Sequence, residues 1–492
     1  MRDYERFLTH VKKIDTCTRI WKRLDFDRQC CAPKSGLACC GEDAAQIFGR
    51  IHELRCDPGF LEIMKRCLQH SKQLTSTELL SVRYQYELYE REKNNTVEFT
   101  RELSGITGAA FDGWVQAKEK DNYNLFAPHL KKVIEVFQRS IRNRDKEYAY
   151  IYDACLSDYE RGSTVERMDV FFEELREKLC PVLAECRLLD SLPPVFRAEV
   201  PIEMQRKLSL QILEAEGLDL TKVSLMETKH PFTQLMNHDD VRITTRFQEH
   251  DFISNLYTIL HEGGHAVHYM NLPEEFYENG MTAVSTFGMQ ECISRFYENV
   301  IGRSEAFCQW IAPLIQEYYL GKTDTITAEQ LFSYVNAYRI QPIRMEADEI
   351  SYCMHILIRY ELEKSFMNGD ISVSDIPVLW NEKYRQYLGI EVQNDKEGVL
   401  QDVHWTDSIG YFPSYALGSV AAAQLFYRMR EDFDVYEAVR SGQLYKVKEW
   451  LIQNAFHTSM ASDIFTWIRK VTEKELSVDY FVLYLKEKLR LL

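Results

Sequence analysis

The sequence predicts a mainly α-helical protein that folds as one large body. Charged and apolar residues recur at three- and four-residue spacing over long segments, which is the period of an amphipathic helix. Such segments include Leu79 to Lys93, Leu130 to Arg144 and Val165 to Glu185. Strand-like alternation is scarce, and the 492 residues contain no internal repeat and no flexible linker. One continuous helical unit over residues 1–492 is therefore expected.

A soft boundary is expected near residue 195. Pro193-Pro194 interrupts one helical run and Pro201 starts another, because proline breaks a helix interior but is tolerated in a first turn. The boundary would separate an N-terminal helical region, residues 1–195, from the region 196–492.

The best strand candidates are Lys222 to Glu227 and Asp240 to Arg246. In the second segment, Val241, Ile243 and Thr245 alternate with Arg242 and Thr244, as in a half-buried strand. We expect the two segments to pair as a small β-hairpin across the turn at His230 to Phe232.

Composition indicates an ordinary soluble globular protein without nucleic-acid or membrane partners. The net charge of −16 disfavours nonspecific binding to phosphates. No apolar stretch is long enough to span a bilayer, and the charged N-terminus lacks the apolar core of a signal peptide. Thirteen cysteines in such a chain indicate reduced thiols in a cytoplasm. For Cys30, Cys31, Cys39 and Cys40, a structural metal is the alternative to free thiols.

Residues 261–265 read His-Glu-Gly-Gly-His within a stretch of helical periodicity. Positions i and i+4 of a helix share one face, so His261 and His265 are able to bind one metal ion. Glu262 lies beside them, where it is placed to act on a water molecule activated by that metal. The motif is typical of a zinc-dependent peptidase.

The helix that carries this motif is expected to begin near Asp251 or Ser254, both suitable N-caps, and to stop before Pro273. Gly263 and Gly264 each cost about 1 kcal/mol relative to Ala in a helix interior. Such a cost is tolerable if something packs closely against that face. A substrate strand and a neighbouring helix are the two candidates.

A catalytic zinc ion usually takes three protein ligands and leaves one position for water. The segment Gly288 to Asn299 is helical in pattern and offers Glu291 as the third ligand. Glu298 is the local alternative, and a solvated surface carboxylate is the alternative role of Glu291. Cys292 is adjacent in sequence but points elsewhere on a helix, so we do not assign it as a ligand.

Six ordered motifs extend this pattern over almost the whole chain. They are His230 to Phe232, Asp240 to Thr244, His261 to His265, Ile343 to Asp348, Gly398 to Trp405 and Gly410 to Tyr415. In this order they resemble the HPF, DxRxT, HExxH, IRxxAD, GxxQDxHW and GYFPTY segments of the M32 metallocarboxypeptidases, the family of carboxypeptidase Taq. One departure concerns the third-ligand segment, usually HES(G)Q, which here reads Gln290-Glu291-Cys292.

The resemblance implies a helical zinc peptidase fold with a deep substrate cleft and a small β-hairpin near the active site. It also implies zinc held by His261, His265 and Glu291, with cobalt as the alternative metal, and Glu262 as the general base. Substrates are then peptides with a free C-terminus, shortened by one amino acid at a time. A homodimer is expected from the same resemblance.

Five further residues receive roles by the resemblance. Tyr415 is preferred as the donor to the oxyanion and Tyr411 is given a substrate-binding role, a buried core ring being the alternative for either. Arg344 would bind the C-terminal carboxylate, with an ion pair to Asp348 as its alternative. His404 is expected to donate to the substrate backbone. Asp348 is also a candidate to orient a ligand histidine.

Two other functions stay open. A helical zinc oligopeptidase or dipeptidyl carboxypeptidase shares the metal ligands, although the motifs at Ile343 to Asp348 and Gly398 to Trp405 favour the single-residue carboxypeptidase. A noncatalytic peptide-binding protein is the second alternative. The intact Glu262 argues against it, because a site without chemistry needs no base.

Overall fold

The computed structural model describes residues 3–186, 200–228, 230–319, 326–338 and 340–490. Most of these residues are helical, and they include one small three-stranded sheet. The predicted mainly α architecture with a single body is confirmed. Within the described part of the chain, every helix is too short or too polar to cross a membrane.

The helices are numbered in chain order. Those before residue 187 are α1 Asp3–Cys30, α2 Leu37–Arg55, α3 Pro58–Gln69, α4 Ser76–Glu92, α5 Val97–Glu119, α6 Ala127–Arg142, α7 Ile151–Tyr159 and α8 Val165–Cys186. The next group is α9 Ile202–Ala215, α10 Phe252–Met270, α11 Glu274–Glu278, α12 Phe287–Arg295, α13 Glu305–Tyr319 and α14 Ala328–Val335. The last group is α15 Glu349–Asn368, α16 Ile376–Lys383, α17 Pro413–Arg430, α18 Val435–Arg440, α19 Tyr445–Asn454, α20 Ile464–Thr472 and α21 Val478–Lys488.

The three helices predicted from periodicity are confirmed as α4, α6 and α8. A local signal explains where α4 begins. Before α4, the Thr75 hydroxyl accepts from the Glu78 backbone N–H at 3.2 Å, and the Glu78 carboxylate accepts from the Thr75 N–H at 2.8 Å. This reciprocal capping satisfies two backbone donors that a helix start leaves unpaired.

The sheet contains β1 Val223–Glu227, β2 Thr233–Asn237 and β3 Asp240–Thr245, in the spatial order β1-β3-β2. β1 runs parallel to β3, with Val223 opposite Val241. β2 runs antiparallel to β3. The central strand is therefore the last of the three in sequence.

The predicted hairpin between residues 222–227 and 240–246 is wrong, although both predicted strands exist. The hairpin partner of β3 is β2, which lies between them in sequence. Because this extra strand reverses the chain once more, β3 returns parallel to β1. The sequence pattern does not reveal β2, because its buried residues, Leu235 and Met236, are consecutive rather than alternate.

Two hydrophobic clusters form the interior. The smaller cluster joins buried residues between Tyr4 and Val82, all from α1 to α4. The larger cluster joins buried residues from Ala110 to Leu485 and so spans both α5 to α8 and the later helices. Residue 195 and the Pro193-Pro194 pair lie outside the described residues, so the soft boundary stays a prediction.

All thirteen cysteine thiols are free of disulfide bonds. Two groups of His, Cys and acidic side chains in the described part of the chain are close enough to share a metal ion. Neither includes Cys30, Cys31, Cys39 or Cys40. The choice between free thiols and a structural metal at these four positions stays a prediction.

Candidate active site

The His-Glu-Gly-Gly-His motif lies on α10, which begins and ends as predicted. The Asp251 carboxylate caps its first turn by accepting from the Ser254 backbone N–H at 3.2 Å. The helix ends at Met270, before the proline that bars its continuation. One turn apart on the same face, His261 and His265 have ring centroids separated by 4.9 Å.

Glycines allow α12 to lie against both α10 and α17. A Cβ atom at Gly264 would come within 2.7 Å of the Ser294 Cα, and one at Gly418 within 2.6 Å of the Glu291 Cβ. The neighbouring helix is thus the element that packs against Gly264. On the adjacent face, Gly263 makes room for the Glu216 side chain. This close packing places Glu291 against the histidine pair.

Glu291 reaches both histidines. Its carboxylate oxygens lie 3.9 Å from the His261 Nε2 and 3.8 Å from the His265 Nε2. The Glu291 side chain is 4% exposed, whereas the two histidines keep 19% and 13%, so the group faces an opening to solvent. Two imidazoles and one carboxylate converging at these distances fit the donor set of a divalent metal ion.

Glu298, the alternative third ligand, faces the other side of the His261 ring. Its carboxylate lies 2.9 Å from the His261 Nδ1. Since a carboxylate accepts, Nδ1 carries the proton and Nε2 keeps its lone pair toward Glu291. Glu298 belongs to a π-helical segment, Phe296–Ile301, that continues α12. Although burial raises it, the pKa of Glu298 ends well below its usual range because of Arg295 and His261.

The expectation that Asp348 orients a ligand histidine is wrong. The Asp348 carboxylate instead caps α15, where it accepts from the backbone N–H groups of Ile350 and Ser351, each at 3.0 Å. An N-cap position commits this side chain to its own helix. Glu298 occupies the place that Asp348 was expected to take.

Glu262 is nearly buried, with 6% exposure, and is held by a residue that sequence reasoning did not single out. The Thr233 hydroxyl, at the start of β2, lies 2.7 Å from the Glu262 carboxylate. Burial raises the pKa of Glu262 to about 7. A carboxyl with such a pKa is suited to take up and release a proton near neutral pH.

Tyr415, Tyr411 and His404 lie together where α17 begins. The Tyr415 hydroxyl is 3.4 Å from the His404 Nε2, and the two tyrosine rings meet edge to face with centroids 5.1 Å apart. Burial, with the charge of Glu291, raises the pKa of both tyrosines, so both hydroxyls keep their protons. Burial lowers the pKa of His404 to about 3, so its ring is neutral.

Arg344 forms an ion pair, which was its alternative role, but the partner is Asp402 and not Asp348. Its Nη2 lies 2.8 Å and its Nε 3.1 Å from one Asp402 oxygen, and its Nη1 donates to the Tyr352 hydroxyl at 2.7 Å. The guanidinium is 5.2 Å from the Tyr415 ring centroid. Arg344 is therefore a buried neighbour of the tyrosine cluster, with 3% exposure.

Asp402 also receives Arg359, whose Nε donates to it at 2.6 Å. Arg359 is completely buried. One carboxylate between two guanidinium groups has its pKa held well below the usual range, although burial opposes this shift. Asp402 belongs to the motif from Gly398 to Trp405, which is the sequence signal for it, although no role was predicted for this residue.

Glu160 is a further buried residue that connects the site-bearing helices. It is 1% exposed and follows α7. One of its oxygens accepts from the Gly288 backbone N–H in α12 and from the Ser414 hydroxyl in α17, the latter at 3.0 Å. Burial raises the pKa of Glu160 to about 7. No motif pointed to this residue.

Gln290, at the position where the chain departs from the family pattern, is engaged within the protein. Its side-chain oxygen accepts from the Tyr269 hydroxyl at 2.8 Å, and its amide nitrogen donates to the Ser285 carbonyl at 3.2 Å. Tyr269 is one turn beyond His265 on α10. Gln290 thus ties α12 to the motif helix beside the ligand group.

A helical body with this converging group and a buried glutamate beside it defines the class of helical metallopeptidases. Within that class, the chain belongs to the carboxypeptidase Taq (M32) metallopeptidase family, whose sequence profile matches residues 6–489. The predicted resemblance is confirmed. The protein is an enzyme with metal-dependent carboxypeptidase activity.

Relatives from three species match this chain along nearly their full length. The chain is 34% identical to carboxypeptidase 1 of Bacillus subtilis, covering 99% of this chain and 98% of the relative. It is 32% identical to thermostable carboxypeptidase 1 of Pyrococcus furiosus, with 98% of each covered. The solved structure of metallocarboxypeptidase 1 of Trypanosoma cruzi superposes with a TM-score of 0.94 at 28% identity over 100% of both chains.

Proposed function

We propose that this enzyme removes single amino acids from the free C-terminus of peptides, with Glu262 as general base beside a zinc ion. His261, His265 and Glu291 would hold the ion. The observation that carries the proposal is the convergence of these three groups next to a buried glutamate. When bound, the metal ion supplies Lewis acidity, which activates water and polarises the scissile carbonyl.

Glu262 would take a proton from the attacking water and give it to the leaving amine. Its raised pKa supports both transfers, because the group is neither a strong acid nor permanently protonated near neutral pH. The hydrogen bond from Thr233 fixes the carboxylate in one orientation, so the proton is collected at a defined oxygen.

Tyr415 is our candidate for the donor that stabilises the oxyanion. It keeps its proton, lies in the first turn of α17, and is close enough to Glu291 for that charge to shift its pKa. A donor already in place where charge develops contributes more than one recruited during the reaction. Tyr411 would contact substrate, and the neutral His404 would donate to the substrate backbone.

Arg344 would recognise the C-terminal carboxylate. Asp402 and Tyr352 take one N–H on each of its three nitrogens, which leaves one N–H on each terminal nitrogen unused by the described residues. Those two groups would form the fork that binds a carboxylate bidentately. Asp402 would hold the guanidinium in position while substrate uses the remaining donors.

Zinc is proposed because two histidines and one carboxylate are a common ligand set of catalytic zinc, with cobalt as the alternative metal. A cytoplasmic location is proposed from the thirteen cysteines, none of which forms a disulfide bond, because this pattern is typical of a reducing compartment. A homodimer is proposed from the family resemblance. Metal analysis of the purified protein tests the identity of the metal. Light scattering tests the homodimer.

Product analysis tests the proposed specificity. An N-acylated peptide with a free C-terminus is incubated with the enzyme, and products are followed by mass spectrometry with and without a chelator. We expect successive loss of single C-terminal residues, blocked by chelator and by C-terminal amidation. Release of dipeptides or internal cleavage would instead assign the dipeptidyl carboxypeptidase or oligopeptidase activity.

A further inference from the structure

A second group of potential metal ligands lies in the N-terminal helices. It consists of His52 on α2, Cys56 at the end of α2 and Glu92 at the end of α4, with their ligand atoms all within 4.8 Å of one another. None of these residues belongs to the motif helix or to α12. The group is therefore separate from the one described above.

The spacing within this group matches tetrahedral coordination. The His52 Nδ1 lies 3.3 Å from a Glu92 oxygen and 3.9 Å from the Cys56 Sγ. Around a tetrahedral zinc ion, a nitrogen and an oxygen ligand are about 3.4 Å apart, and a nitrogen and a sulfur ligand about 3.6 Å, given usual bond lengths. The two distances in the structure are close to these values for ideal tetrahedral coordination.

Hydrogen bonds from neighbouring groups orient the His52 and Glu92 side chains so that their ligand atoms are available to a metal ion. The His52 Nε2 lies 3.1 Å from the Asn95 carbonyl oxygen, which only accepts, so Nε2 carries the proton and a neutral ring has its lone pair on Nδ1. Arg55 donates to the other Glu92 oxygen at 2.6 Å and leaves the oxygen near His52 available. Partners of this kind fix the tautomer and orientation of metal ligands.

The His261 ring is held in the same way, because its Nδ1, on the side away from Glu291, is hydrogen-bonded to the Glu298 carboxylate. The N-terminal group differs in having a thiolate ligand, which favours zinc over harder ions such as magnesium. The side chain of His52 is 10% exposed and that of Glu92 is 26% exposed, so a water molecule can fill a fourth position.

We propose that His52, Cys56 and Glu92 form a second, structural binding site for a zinc-type divalent ion. The ion would join the C-terminal ends of α2 and α4 and so close the helical unit that contains the smaller hydrophobic cluster. The same three side chains are also able to share a proton on the His52 Nδ1 in place of a metal, and the experiment separates these two cases.

Cobalt titration of the metal-free, full-length protein distinguishes the two sites by their absorption spectra. Only a cobalt ion bound to a thiolate gives a sulfur-to-cobalt charge-transfer band in the near ultraviolet, and the group around His261 contains no sulfur. We expect two cobalt ions per chain, one of which gives this band. One ion per chain without the band would overturn the proposal.

Variants then assign the band to its residues. Cys56→Ser should lose the band and one of the two ions, while Glu291→Gln should keep the band and lose the other ion. Serine at Cys30, Cys31, Cys39 and Cys40 together is the control and should leave the band unchanged. A band that persists in Cys56→Ser, or disappears in the control, would place the thiolate elsewhere and reject the site.

A milder variant covers the case in which Cys56→Ser does not fold. Glu92→Gln retains the size of the side chain and removes its charge, and it should weaken cobalt binding at the band-producing site by at least tenfold. Zinc should compete for the band in the wild type. An unchanged affinity in Glu92→Gln would show that the carboxylate is not a ligand, and the proposed site would be wrong.

Discussion

The Glu298 carboxylate binds the His261 Nδ1 at 2.9 Å, on the side of the ring opposite Glu291. This hydrogen bond fixes both the tautomer and the rotation of His261. Arg295 and Arg303 lie beside Glu298, with nitrogen–oxygen distances of 3.2 and 3.9 Å, and keep it ionised. The His261 nitrogen that would bind a metal ion is thus set by Glu298, which lies on the opposite side of the ring.

Glu298→Gln should weaken metal binding at the His261 group roughly 10- to 100-fold, the usual effect of removing such a partner. The charge is lost while the side-chain size stays the same. Competition with a chromophoric chelator measures the affinity. Glu305→Gln, at a surface residue with 53% side-chain exposure, is the matched control and should bind metal as the wild type does. Equal affinity in both variants would contradict the role assigned to Glu298.

Thr233→Val should lower kcat roughly 10- to 100-fold without changing metal content. The substitution removes the hydroxyl that orients Glu262 and keeps the shape of the side chain, and hydrogen bonds to charged groups contribute about 1.5–3 kcal/mol. Thr233→Ser should restore most of the activity. Steady-state kinetics measures kcat, and metal analysis of the same samples measures the metal content. A Val variant as active as the wild type would show that Glu262 needs no orienting partner.

Arg344→Lys should reduce the preference for a free C-terminus over a C-terminal amide by roughly tenfold or more. Lysine keeps the charge but cannot bind a carboxylate bidentately. The ratio of kcat/KM for the two substrates is the readout. Arg359→Lys is the control, because Arg359 also pairs with Asp402 but is completely buried. If Arg344→Lys slows both substrates equally, Arg344 has only a structural role.

From the buried carboxyl of Glu160 we predict that the free energy of unfolding of the protein depends on pH. Its pKa is raised from 4.5 to about 7 by burial, so the folded state holds a proton that the unfolded state releases. The stabilising contribution is complete below pH 4.5, decreases as the pH rises and is lost above about pH 7. Over this window the change is at most about 3.5 kcal/mol, since each pKa unit corresponds to about 1.4 kcal/mol.

Glu160→Gln imitates the protonated carboxyl and should remove this pH dependence. Its side-chain oxygen still accepts from Ser414 and the Gly288 backbone. Denaturant unfolding at several pH values should show the wild type losing stability relative to the variant between pH 4.5 and 7. A constant difference across that range would mean that Glu160 is ionised in the folded enzyme.

The elements that sequence predicts well here are those with a local cause. The helix from Phe252 to Met270 follows from its N-cap, its periodicity and the proline beyond its end. The shared face of His261 and His265 follows from helix geometry alone. Predictions of this kind need no knowledge of the rest of the molecule.

The predictions that failed depend on backbone conformations and tertiary contacts that the sequence pattern does not reveal. Asp348 seemed one turn from Arg344, but Ala347 is extended, with ψ of 143°, so no continuous helix joins them. Arg344 instead meets Asp402, which is far along the chain. The order of strands in the sheet and the contact between Thr233 and Glu262 are likewise products of tertiary packing.

The proposed mechanism depends most on Glu262, which would be the base beside the metal ion. Glu262→Gln, measured for peptide hydrolysis and metal content together, tests this directly, with Glu274→Gln on α11 as an exposed control. We expect turnover to fall by at least roughly 10²- to 10⁴-fold while the metal content equals that of the wild type. Substantial turnover by the metal-loaded variant would contradict the proposed mechanism.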